Sequence, residues 1–313
     1  MSPTFRFFTA CLLLTGGAPA MAHEFWLAAS PMGKPAQGSV KLSISVGEQW
    51  RGDKLPFNTD YIAQLRHYAC GKTQDLTPLL PGSAGGNDFA AQTQCGGTQL
   101  FALDSHPNFV TLPADKFTAY LHEEGLDDII KQREAAGNAA IPGRERYRRH
   151  VKALLGAGGL AARLGKTEQD KKAEKSAGGA TNASTQTGQK LEIIPLGDPS
   201  SLAAGSSMRF KLLFDGQPLP NRLVKAWYRP TSNASGNETS NQTLIIRGQT
   251  DSAGSIGFNF PYAGPWMIST VHMVAAPSTD AAGAMPVDWD SYWGNLTFSL
   301  PDRNNSIRLP RKN

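Results

Sequence analysis

Polar and apolar residues alternate in "SVKLSISV", where Val40, Leu42, Ile44 and Val46 are separated by Lys41, Ser43 and Ser45. A repeat of two predicts a strand with one buried face. "TQLFALDS" reads as a second strand. The period then lengthens: in "LPADKFTAYLHEEGLDDIIKQREAAG" the residues Phe117, Tyr120, Leu121, Leu126, Ile129 and Ile130 follow helical spacing, with Pro113 before the start and Gly125 breaking the segment in two. "GRERYRRHVKALLG" repeats helical spacing through Tyr147, Val151, Leu154 and Leu155 and stops at Gly156. After residue 190 seven short apolar-rich segments follow: "LEIIP", "MRFKLLF", "LVKAWY", "TLIIRGQT", "IGFNF", "WMISTVHM" and "NLTFSL". Turn signals such as Asp215-Gly216 separate several of them.

The expected fold class is therefore mainly β, with two domains: a β domain with a helical insertion, then an immunoglobulin-like β-sandwich. The boundaries read as a signal peptide over 1–22, the N-terminal domain over 23–155, a flexible linker over 156–190 and the sandwich over 191–302. The linker expectation rests on composition. Residues 156–190 are rich in Gly, Ala, Ser, Thr and Lys without an aromatic, so they bury too little apolar surface to offset the entropy of ordering.

The first residues place Arg6 before the apolar run Phe7, Phe8, Cys11, Leu12, Leu13, Leu14 and end in small residues, the three-part pattern of a secretory signal. The run is shorter than the ~20 apolar residues a spanning helix needs. The expected location is the periplasm. Lipid anchoring at Cys11 fits less well, because the apolar stretch continues past it. Export leaves Cys70 and Cys95 as an even pair in an oxidising compartment, and a bridge between them is favoured over a metal site because no CxxC or nearby histidine cluster accompanies them. Such a bridge stabilises by roughly 3 kcal/mol in the loop-entropy account. Net charge is +5, or +4 once Arg6 leaves with the signal, which does not demand nucleic acid. The basic cluster Arg144, Arg146, Arg148, Arg149 and Lys152 reads as a solvated helix face, with an anion site as the alternative.

Candidate chemistry concentrates at the expected mature start. Cleavage after Ala20-Met21-Ala22 exposes His23, whose free amine and imidazole form a chelate on one residue. A second histidine would complete a T-shaped nitrogen set suited to copper. Cleavage after Ala20 instead leaves Met21-Ala22-His23, whose amine, amides and imidazole favour square-planar Cu(II) or Ni(II). The plain alternative is that "EFWLAA" is an edge strand burying Phe25 or Trp26 and Leu27. Of the scattered histidines, His67, His106 and His122 fall in no metal spacing and His150 sits on the expected helical face. His272 stands at a strand end, where a loop edge offers a ligand position. Asp288 and Asp290 in "DWDSYW" supply an oxygen ligand or cap a turn. No nucleophile elbow, P-loop or dinucleotide fingerprint occurs, so no enzyme is expected.

The segments "AHEFWLAAS", "VGEQWRGDKLPF", "LPADKFTAYLHEEGLDDII", "GRERYRRHVKALL" and "TDSAGSIGFNFPYAGPWMISTVHM" resemble a bacterial periplasmic family of unknown function catalogued under nickel uptake, as a periplasmic component of cobalt or nickel transport. The resemblance implies export, an immunoglobulin-like C-terminal domain and divalent-metal handling, with nickel, cobalt or copper as cofactor and an inner-membrane metal permease as partner. Carried over by position, His23, His272 and Asp288 become the metal-site candidates. The segment 156–190 is longer than the family pattern, and nothing past the signal matches a transmembrane region. Two further readings compete: a metal-free structural or adhesive module binding protein or glycan through exposed Trp289, Tyr292 and Trp293, and a copper oxidase of the histidine-brace type.

Overall fold

The structure, a computed structural model, describes residues 24–31, 38–83, 85–92, 97–156, 182–230, 243–277 and 286–301. In chain order the strands are β1 (Glu24–Pro31), β2 (Ser39–Glu48), β3 (Arg51–Leu55), β4 (Ile62–Ala69), β5 (Lys72–Asp75), β6 (Asp88–Gln92), β7 (Gln99–Ser105) and β8 (Asn108–Leu112). Two helices follow, α1 (Ala114–Glu123) and α2 (Asp127–Ala135), then β9 (Gly143–Leu155) and β10 (Leu191–Pro195). The remainder is β11 (Ser206–Phe214), β12 (Gln217–Pro218), β13 (Leu223–Tyr228), β14 (Leu244–Gln249), β15 (Ser255–Phe260), β16 (Gly264–Ala275) and β17 (Trp289–Leu300). The protein is mainly β, as the alternation predicts.

These strands form three sheets. The largest has nine strands in the order β14-β13-β16-β17-β9-β7-β4-β5, with β8 added beside β9. Its one parallel pairing, β17 with β9, joins strands from either side of residues 157–181. Strands assigned by sequence to two domains therefore share one sheet. The smaller sheets are β1-β2-β3 with β6 on β2, and β10-β11-β12 with β15 on β11.

Side-chain parity decides what each face of the large sheet meets. Leu100, Ala102, Leu154, Ile268, Tyr292 and Leu296 pack with Ile193, Phe210 and Phe258 of the β10-β11-β15 sheet, a two-layer sandwich. On the opposite face Phe101, Leu103, Val151 and Ala153 pack with Leu27, Val40, Leu42 and Ile44 of the β1-β2-β3 sheet. Farther along that face, Val271, Met273 and Trp293 meet Phe117, Tyr120 and Leu121 of α1. Covered on both faces, β16 and β17 are buried along nearly their whole length.

Two sequence expectations need correction. "GRERYRRHVKALLG" is strand β9, not a helix. Its alternation lies in charge: Arg144, Arg146, Arg148, His150 and Lys152 share one face, opposed by Asp288, Asp290, Asp104 and Glu192. The expected linker is also shorter at its C-terminal side. Asn182, Ala183, Thr187 and Gln189 are buried, and Thr187 and Gly188 donate backbone hydrogen bonds to Glu192. Residues 157–181 lie outside the described residues. Among the described residues no helix is long and apolar enough to cross a membrane.

Candidate functional site

Among the described residues β1 is an edge strand, paired only with β2, and it buries Phe25, Trp26 and Leu27, as the plain reading of "EFWLAA" expects. Glu24, the first described residue, is 5% exposed and its carboxylate accepts a 3.1 Å hydrogen bond from Ser269 Oγ on β16. Ser269 in turn accepts from the Trp227 indole at 2.8 Å. Pairing with β2 brings Glu24 opposite Gly47 and carries Trp26 into an apolar cluster with Trp50, Trp227 and Met267.

The helical hairpin supplies the other side of this recess. Helix α1 ends at Glu123, and Gly125 turns the chain with φ +63° while packing so closely on Leu223 that a side chain there would collide with it. That close approach sets the capping residue Glu124 against β13, where Lys225 Nζ donates to Glu124 Oε1 at 2.8 Å. A second ion pair, Arg222 with Asp128 at 3.3 Å, anchors α2. Deeper along the face the Arg149 guanidinium lies 4.4 Å from the Trp293 ring centroid and 5.6 Å from that of Phe25. Glu145 accepts from Ser291 and, at 3.5 Å, from Tyr120.

Burial dominates the electrostatics. It raises the Glu24, Glu124 and Glu145 carboxyls, and Glu124 reaches about 7 although Lys225 opposes the shift. Burial also draws the Arg149 guanidinium below its ordinary value. Burial thus disfavours charge on Glu24, Glu124 and Glu145, while Lys225 favours it on Glu24 and Glu124, and Arg149 favours it on Glu24 and Glu145.

The sequence-derived candidates fall in separate places. His23 lies outside the described residues. His272 is within β16, on the face opposite Ser269; its ring meets Phe214 edge-on at 4.4 Å, and its buried Nδ1 has no hydrogen-bond partner. Burial, then the nearby Arg222 charge, lowers its pKa to about 4, so it is neutral at physiological pH. Asp288 accepts from Arg144 Nε at 2.9 Å and from its terminal nitrogen at 2.5 Å. Asp290 is held likewise by Arg146 at 2.7 and 2.9 Å. The structure brings neither His272 nor Asp288 to Glu24. Cys70 is disulfide-bonded, and Cys95 lies outside the described residues. Trp289, Tyr292 and Trp293, expected as an exposed platform, are all buried.

Among the described residues no group of three or more His, Cys, Asp or Glu side chains is placed to hold a metal ion. Residues 20–274 match the family described as a domain of unknown function, DUF4198. The chain belongs to this family. A comparison with curated proteins finds no match. The DUF4198 match takes in β1, the helical hairpin and β13 to β16, hence most of the recess around Glu24. Glu24, Glu124, Lys225 and Ser269 escaped the sequence reading.

Proposed function

We propose that this protein is an exported accessory that binds a divalent transition metal, nickel, cobalt or copper, at its mature N-terminus and serves an inner-membrane metal permease. The seating of Glu24 carries the reading. A mature chain beginning at His23 starts one peptide unit upstream, with about 3.8 Å between the two Cα atoms. That residue is bonded directly to Glu24, whose carboxyl is buried against Ser269. Two nitrogen donors on one residue suit a late first-row cation. His272 and Asp288 are not needed by this reading, because one faces the other side of the large sheet and the other is committed to Arg144.

The test is titration of the processed, exported protein with Ni(II) and with Cu(II), read by calorimetry and intact mass. One equivalent is expected to bind, with affinity falling at least about tenfold, or about 1.4 kcal/mol, in His23→Ala, and unchanged in His272→Ala. Equal binding by His23→Ala overturns the proposal.

A further inference from the structure

Beside β1 lies a cleft of about 530 Å3 whose walls include Trp26, Trp50, Pro265, Phe298, Ser299 and Arg229. Its size falls within the roughly 300–1,000 Å3 of small-molecule sites. The wall residue Trp50 is held under strain. The β2–β3 hairpin is closed by Gln49 and Trp50, whose φ values are +49° and +57°. Two-residue hairpin turns of this kind favour Asn-Gly, and a bulky residue at positive φ is strained. Both strained carbonyls are clamped from the sandwich. Thr243 Oγ1 donates to the Gln49 carbonyl at 2.7 Å, and Arg229 donates to that of Trp50 at 3.3 Å.

Arg229 also lies 5.6 Å from the centroid of the Trp50 ring. Among the described residues no carboxylate pairs with it, and its side chain is exposed at an otherwise largely apolar wall. An exposed guanidinium beside tryptophan, proline and phenylalanine is complementary to a ligand with one anionic end and an apolar ring.

We propose that this cleft binds a small organic anion, a carboxylate on a flat ring, with the ring against Trp26 and Trp50 and the carboxylate on Arg229. Its lining includes none of Glu24, Glu124, Lys225 and Ser269. Benzoate is the probe and benzyl alcohol its neutral counterpart, titrated into the processed protein by calorimetry and tryptophan fluorescence with EDTA present. Saturable benzoate binding is expected, at least about tenfold tighter than benzyl alcohol and weakened at least about tenfold in Arg229→Gln, each about 1.4 kcal/mol. An unchanged melting temperature for Arg229→Gln establishes that the fold is intact. Absence of saturation, equal binding of the alcohol, or an unaffected Arg229→Gln variant overturns the proposal. Loss of benzoate binding in EDTA does so too, by assigning the anion to a metal.

Discussion

Glu124 combines a helix end, a buried ion pair and a shifted titration. Its carboxyl is pushed up from the ordinary carboxylate range to about 7 in the folded chain, chiefly through burial. A raised folded pKa means that the folded state holds the proton more tightly. The stabilisation is complete below the unfolded value and is lost as pH rises through about 7. Melting temperature should therefore fall between about pH 5 and about pH 8, and Glu124→Gln should flatten that slope. Glu24, raised in the same direction, leaves part of it in place. Calorimetric melting across that range checks both statements. At this scale the sequence was legible where backbone geometry alone decides: Gly125 as a helix break needs only its positive φ. The partner of Glu124 was not legible, because Lys225 is a hundred residues away and nothing local distinguishes it from a surface lysine.

The elements with a clean apolar period were read correctly from sequence. In β2 the residues Val40, Leu42 and Ile44 are fully buried, and α1 buries Phe117, Tyr120 and Leu121. β9 was misread because Tyr147, Val151 and Leu154 happen to satisfy helical spacing, while its true period of two is carried by charge. Charged residues do not ordinarily mark a buried face; here they do because each basic residue meets an acid on or beside another strand. Lys152 is the extreme case, 1% exposed and bonded to Glu192 Oε1 at 2.5 Å and to the Ile193 carbonyl at 3.2 Å. Removing one member of a buried pair leaves an uncompensated charge, so Lys152→Met should cost about 3–5 kcal/mol. The double variant Lys152→Met with Glu192→Gln should recover part of that loss. Urea denaturation of the four proteins of this cycle measures the coupling, and an uncoupled result would show that Glu192 is held by Thr187 and Gly188 alone.

For the whole molecule, the pairing of β17 with β9 matters most. It aligns Trp289 through Thr297 with Glu145 through Ala153, so the chain after residue 181 completes a sheet begun before residue 157. A protease site placed within 157–181 should therefore yield two fragments that remain together in native gel filtration and separate only in denaturant. Independent elution without denaturant would mean that the shared sheet contributes little cohesion. The same layering sets the distance between candidate ligands: β16 puts Ser269 and His272 on opposite faces because their numbers differ by an odd interval.

Local sequence determined the mainly β composition, the helical hairpin and its break, and most strand positions after residue 190, since each depends on periodicity and turn chemistry within a short window. Tertiary structure alone decided that both halves build one sheet, that the cations of β9 are paired rather than solvated, and that Glu24 rests against Ser269 with Glu124 and Lys225 near it. These outcomes depend on strand order and on which face of a sheet is covered. Both are set by contacts between residues far apart in the chain, where hydrophobic period carries no information about the partner.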